Sequence, residues 1–168
     1  MRLFVAAWPP AGVVSLLAAL PRTEVKGLRW TRRDQWHVTL RFLGNVEDVD
    51  GVVAALRAAP VGRTEAVMGP AVSRFGHRVL HVPVDGLSAA ASAVVRATAG
   101  FGEPPENRPF RGHVTLARAA DRARVDLRPL AGTPLSGTWP VDEVTLVASR
   151  LSPAGARYEI VERFPTSG

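Results

Sequence analysis

The sequence predicts an α+β protein built from two similar lobes. Three observations lead there. Strand-like and helix-like segments interleave without the regular βαβ alternation that builds parallel sheets. The tetrapeptide His-Val-Thr-Leu stands at 37–40 and again, unchanged, at 113–116, in a similar order of strands and helices. Such a repeat reads as a duplicated lobe carrying one copy each. With 46% apolar and 21% charged residues over 168 positions, the chain can bury a core and is not compositionally disordered.

In chain order, Leu3 to Trp8 reads as a short buried strand. Pro9-Pro10 then breaks the apolar run, and Val13, Leu16, Leu17 and Leu20 recur at helical spacing. Leu28 to Trp30 and Trp36 to Leu43 are strands, the second ended by Gly44-Asn45. Glu47 to Ala59 is a helix with acidic residues in its first turn and Val52, Val53 and Leu56 on one face. Thr64 to Met68, Ala71 to Phe75 and Val79 to Val84 read as an antiparallel meander. Leu87 to Ala99 is a helix stopped by Gly100 and Gly102. A polar loop from Phe101 to Gly112 leads into a strand from His113 to Ala117. Arg118 to Leu130 is polar, with room for a short helix. Val144 to Ser149 and Tyr158 to Phe164 pair as a hairpin around Ser152-Pro153-Ala154-Gly155.

Several function classes are excluded. With no cysteine there is no disulfide scaffold, thiolate metal site or cysteine nucleophile. Neither G-x-G-x-x-G nor G-x-x-x-x-G-K-[ST] occurs, so nucleotide-cofactor folds have no support. The interrupted apolar run after Met1-Arg2 does not suit a signal peptide, and no stretch of about 18 apolar residues is present to span a membrane. These features lead us to expect a cytoplasmic monomer with no membrane and no obligate protein partner. The formal net charge is +6, and Lys26 is the sole lysine, so the basic charge is almost all arginine. That arginine excess fits a GC-rich coding bias, and it also fits a phosphate-rich partner, since guanidinium forks match phosphate oxygens.

The repeated tetrapeptide carries the chemistry. On a strand, residues i and i+2 share a face, so His37 and Thr39 project together while Val38 and Leu40 enter the core. The same holds for His113 and Thr115. Two His–Thr pairs facing each other would suit general acid–base chemistry, with the hydroxyls donating to phosphate oxygens and no metal required.

His37-Val38-Thr39-Leu40-Arg41-Phe42-Leu43-Gly44 and the stretch from Arg108 through His113-Val114-Thr115-Leu116-Ala117-Arg118 resemble the paired signatures of the RNA 2',3'-cyclic phosphodiesterases. These bacterial and archaeal proteins are also named 2'-5' RNA ligases, within the two-histidine phosphoesterase superfamily. The resemblance runs from Met1-Arg2-Leu3-Phe4-Val5-Ala6 to Arg163-Phe164-Pro165, with one departure: Gly112 stands where members often carry Pro. It implies a single two-lobed domain over 1–168, each lobe an antiparallel sheet with helices on its outer face, around a central cleft carrying the two HxTx motifs. It also implies metal-independent opening of RNA 2',3'-cyclic phosphate ends to 2'-phosphomonoesters, without a cofactor. His37 would be the proton donor and His113 the proton acceptor, with Thr39 and Thr115 holding phosphate oxygens. The RNA ends of tRNA fragments and small cyclic nucleotides are candidate substrates.

Three further residues are expected to bind substrate. Arg118 would reach from the strand end to neutralise phosphate charge. Phe42 offers a ring for the terminal base or, equally, a core side chain. Arg41, on the His37 and Thr39 face by strict alternation, would contact RNA phosphate. His77-x-x-x-His81 sits in strand-like sequence, which separates the two rings by about 13 Å and makes them surface or edge residues rather than metal ligands. Reversible 2'-5' joining of RNA ends, and an RNA-end binding module without turnover, are the competing readings.

Overall fold

The computed structural model describes all residues 1–168. Ten strands form one antiparallel sheet: β1 (Arg2–Ala7), β2 (Leu28–Trp30), β3 (Val38–Asn45), β4 (Thr64–Met68), β5 (Ser73–Phe75), β6 (Val79–Asp85), β7 (His113–Ala119), β8 (Gly137–Val141), β9 (Glu143–Ser152) and β10 (Gly155–Pro165). The three helices are α1 (Ala11–Ala18), α2 (Val49–Ala58) and α3 (Ser88–Ala97). The strand order β10-β9-β1-β3-β7-β6-β4-β8 has an approximate dyad at its centre. There β3 meets β7 through a single pair, Val38 opposite Val114, the second residues of the two repeats. The sheet curls about this seam.

The lobes are not the two halves of the sequence. Strands β1, β3, β9 and β10 make one lobe, so both chain ends lie in it, and the strands between complete the other. Helices α2 and α3 cover the first lobe, while α1 leaves β1 to pack on β8 of the second. The predicted meander is also corrected. Strand β6 pairs with β7 along one edge, while β5 and β4 take successive stretches of its other edge, so β4 and β5 do not pair. Strand β8 has no counterpart in the sequence reading. Its Gly137 and Pro140 weaken the strand signal, and it lies at a sheet edge where a proline costs no ladder bond.

The two lobes repeat one irregularity that sets the site. Strand β3 bulges at Leu40: Ala6 pairs with Thr39 and Val5 with Arg41, leaving Leu40 unmatched. Strand β7 bulges at Leu116: His81 pairs with Thr115 and Leu80 with Ala117. A bulge reverses the inward–outward alternation beyond it. Leu40 with Arg41, and Leu116 with Ala117, therefore turn two consecutive residues toward the interior. Burying each leucine contributes on the order of 2 kcal/mol, which holds the bulge in place.

Candidate functional site

The half-buried His37 and His113 flank the Val38–Val114 seam and receive matching support. Nδ1 of His37 lies 2.7 Å from the Gln35 carbonyl oxygen, and Nδ1 of His113 lies 2.7 Å from that of Arg111. A carbonyl only accepts, so each neutral ring carries its proton on Nδ1 and leaves Nε2 with a lone pair. The Thr39 hydroxyl, 2.9 Å from Nε2 of His37, then donates to it. Thr115 is half-buried on the same face of β7 as His113. Its carbonyl and that of Leu116 both accept from the Thr31 hydroxyl, which in turn accepts from Nε1 of Trp36 beside His37.

The walls around the two imidazoles differ. His37 sits among Phe4, Trp8 and Tyr158, with ring centroids 4.8, 5.2 and 5.2 Å away. Trp8 is fixed by its Nε1–H to the Thr145 hydroxyl, 2.8 Å. Arg32 and Gln35 reach from the loop before His37 to the Ala154 and Ala156 carbonyls at the β9–β10 turn, and so hold the hairpin that carries Tyr158. Around His113 stand His81, 5.3 Å away, and Phe75, 4.9 Å away, themselves stacked at 3.8 Å. The Arg111 guanidinium lies 4.7 Å from the Phe75 ring centre.

These surroundings lower both histidine pKa values. Burial pushes that of His37 down to about 4; the Gln35 carbonyl opposes this, and positive charge on His113 and Arg118 adds to it. His113 is lowered first by burial, against the Arg111 carbonyl, and further by Arg118, Arg108 and Arg111. In the ligand-free protein at pH 7 both rings are therefore neutral.

Among the other expected residues, Arg41 must be corrected. Only 5% exposed, it faces away from His37, because the bulge at Leu40 turns it to the helical side. There its guanidinium donates to the Thr98 carbonyl at 2.7 Å, the Thr98 hydroxyl, and the Phe101 and Glu103 carbonyls beyond the end of α3. It serves the orphan carbonyls of a helix C-terminus rather than RNA. The same reversal puts Phe42 on the cleft face, 39% exposed, with the Arg2 guanidinium 4.8 Å from its ring centre. Its counterpart beyond the second bulge is Arg118, which is exposed on the cleft face and close enough for its charge to act on both histidines. Gly112 suits its place, since a Cβ there would collide with the Val84 carbonyl oxygen.

His81 is the second correction. It is 3% exposed, not a surface residue, while His77 lies exposed in the β5–β6 turn. Neither ring nitrogen of His81 has a hydrogen-bond partner; backbone groups of Val82 and Arg74 lie near it without bonding geometry. Burial first, then His113 and Arg111, lowers its pKa to about 4. No group of three or more acidic or histidine side chains is arranged to hold a metal ion. The aromatic wall and His81 escaped the sequence reading because they come from strands distant in sequence. The one available signal was that Phe4 and His81 sit in strands flanking those that hold the repeats.

A curled antiparallel sheet with one His-x-Thr on each side of a dyad defines the two-histidine phosphoesterase class of fold. The sequence profile of the 2'-5' RNA ligase superfamily matches residues 9–152, and the chain belongs to that superfamily. Its members are phosphoesterases and ligases. Among solved structures, Escherichia coli LigT complexed with 3'-AMP is 25% identical, with a TM-score of 0.73 over 99% of this chain and 98% of that one. LigT complexed with NADP+ gives 25% identity and a TM-score of 0.75, over 98% and 97%. The Thermus thermophilus protein TT0787 shares the fold at 24% identity, with a TM-score of 0.75 over 98% and 97%. No curated protein matches the chain significantly. No helix is long and apolar enough to cross a membrane.

Proposed function

We propose that this protein hydrolyses RNA 2',3'-cyclic phosphate ends to 2'-phosphomonoesters in the cytoplasm, by acid–base catalysis with two histidines. One observation carries the reading: two identical His-Val-Thr-Leu segments meet at Val38 and Val114, each with its imidazole oriented through Nδ1 by a carbonyl two residues earlier. The 3'-AMP and NADP+ complexes of LigT support it, since a protein of this fold accepts nucleotide phosphates.

The cyclic phosphate settles between Thr39 and Thr115, whose hydroxyls donate to its non-bridging oxygens. Thr39 thereby releases Nε2 of His37, and the nearby anion raises the proton affinity of that ring. His37 then takes up a proton at Nε2. His113, neutral with a free Nε2, accepts a proton from water as the water oxygen attacks phosphorus in line. The bond from phosphorus to the 3'-oxygen breaks, and Nε2–H of His37 protonates that oxygen. The 2'-phosphomonoester remains. Arg118 supplies positive charge beside the centre, and Phe42 offers a ring to the terminal base.

The test is a short RNA ending in a 2',3'-cyclic phosphate, incubated with EDTA, with the product's phosphate position determined. A 2'-phosphate product that falls about 10²–10⁴-fold in both His37→Ala and His113→Ala establishes the reaction. No turnover by the wild type overturns it. The superfamily description also favours a second reading, 2'-5' joining of ends at the same centre. The same RNA supplied with a 5'-hydroxyl strand would then give a longer product.

A further inference from the structure

We propose that Thr31 is a positioning residue for the two-histidine centre: its hydroxyl ties the segment leading to His37 to the bulge beside Thr115, and so sets the span between the two imidazoles. The proposal rests on the acid–base reading given above and adds a residue that acts through others.

The seam is a narrow joint. Strands β3 and β7 share one pair, Val38 opposite Val114, and β2 joins β7 only from Ala117 onward. Between these points Thr31 meets the edge of β7. Its amide donates to the Leu116 carbonyl at 2.8 Å. Its hydroxyl proton is shared between the carbonyls of Thr115, at 2.8 Å, and Leu116, at 3.0 Å. Successive carbonyls of a regular strand point to opposite edges, and the bulge at Leu116 turns these two toward one hydroxyl. The same hydroxyl oxygen accepts from Nε1 of the buried Trp36, 3.0 Å away.

Residues 31–36 are the crossing from β2 to β3, and bonds brace it toward both lobes. Toward the first, Arg32 and Gln35 donate to the Ala154 and Ala156 carbonyls of the β9–β10 hairpin. Inside the crossing, the Arg32 amide donates to the Gln35 side chain at 2.9 Å, across the 3-10 turn Arg33–Gln35. The Gln35 carbonyl then orients the His37 ring. Thr31 is the side chain of this crossing that holds the second lobe. A turn braced in this way moves as one piece, so a shift at Thr31 is carried to His37. The acid and the base must meet one phosphate from opposite lobes, and a misplacement of about 1 Å costs such a reaction about 10²-fold.

The experiment uses Thr31→Val, which keeps nearly the same shape and removes the hydroxyl, and Thr31→Ser, which retains it. We compare kcat/KM for an RNA 2',3'-cyclic end and for bis(nitrophenyl) phosphate, whose leaving group needs no acid from the first lobe. In Thr31→Val the RNA rate should fall about 10–10²-fold and the nitrophenyl rate less than about threefold. Thr31→Ser should restore most of the RNA rate. Thr98→Val, which removes a buried hydroxyl at the end of α3, should leave the ratio of the two rates unchanged. An equal loss on both substrates in Thr31→Val, or no loss, overturns the assignment and leaves the reaction standing. If the wild type leaves RNA ends intact, the proposed reaction falls, and the imidazole proton resonances decide the assignment. It stands if the His37 and His113 signals both move in Thr31→Val and return in Thr31→Ser, with those of exposed His77 unmoved, and falls if they stay in place.

Discussion

The two lobes start from the same tetrapeptide and the same bulge, yet surround their histidines differently. In the first, Phe4, Trp8 and Tyr158 enclose His37, and the reversed strand presents Phe42. In the second, Phe75 and His81 back His113, and the same reversal presents Arg118. Symmetry thus fixes where the reactive groups stand, while the neighbouring strands decide their environment: aromatic on one side, cationic on the other. On the proposed mechanism, the aromatic side protonates a leaving oxygen and the cationic side handles the incoming water.

The sharpest way to break that comparison is by leaving group. His37→Ala and His113→Ala should each lose about 10²–10⁴-fold on RNA ends. A phosphodiester with a nitrophenolate leaving group needs no acid, so it should restore most of the activity of His37→Ala and none of that of His113→Ala. Equal rescue of both would reverse or abolish the division of labour. Next in size is Arg41→Ala, which leaves the Thr98, Phe101 and Glu103 carbonyls without their donor. It should cost about 2–4 kcal/mol, read as a fall in urea midpoint, while the folded fraction keeps its activity. Loss of phosphate affinity without loss of stability would return Arg41 to the binding site.

Two predictions concern protons. The His37 pKa is depressed toward 4 and an anion beside the ring raises it, so anion binding takes up a proton. Sulfate, whose charge is constant in this range, should bind more tightly as pH falls from 7 toward 4. Calorimetry in two buffers of different ionisation enthalpy should show the uptake, and His37→Gln should reduce it to the share taken up at His113. Stability runs the opposite way. His37 and His81 titrate near 4 when folded against 6.5 unfolded, so the unfolded chain binds more protons between these values. Stability is complete above about pH 6.5 and declines as pH falls toward 4. His81→Phe should remove part of that decline in Tm. The smallest effect is Tyr158→Phe, less than about twofold in kcat/KM, because the ring edge against His37 is retained and the hydroxyl makes no hydrogen bond.

The repeat made the centre of the site legible: His37, Thr39, His113 and Thr115 all stand on one face at the seam. What the sequence concealed follows from the bulges. Strict alternation sends Arg41 into the cleft and leaves Arg118 to reach from a strand end, whereas one unmatched leucine in each strand reverses both. No local residue pattern around Leu40 or Leu116 announces the reversal, which arises from packing against β1 and β6. His81 was hidden for the same reason, since its place opposite Thr115 depends on the register of β6 and β7. Most elements were legible from periodicity, though the helix expected from Glu47 starts at Val49, where the Asp48 carboxylate caps it through the Gly51 amide. The repeat announced two lobes but not which strands make each, because β9 and β10 return to pair beside β1 across the length of the chain.

The seam has a consequence for traffic. Val38 and Val114 are fully buried, and Leu40 and Leu116 nearly so, which leaves no passage through the sheet beneath the two histidines. Everything that reaches the centre arrives over the concave side and departs by the same doorway. On the proposed reaction the site is a cul-de-sac: a spent end must back out before the next can enter, and a lingering product occupies the berth of its successor.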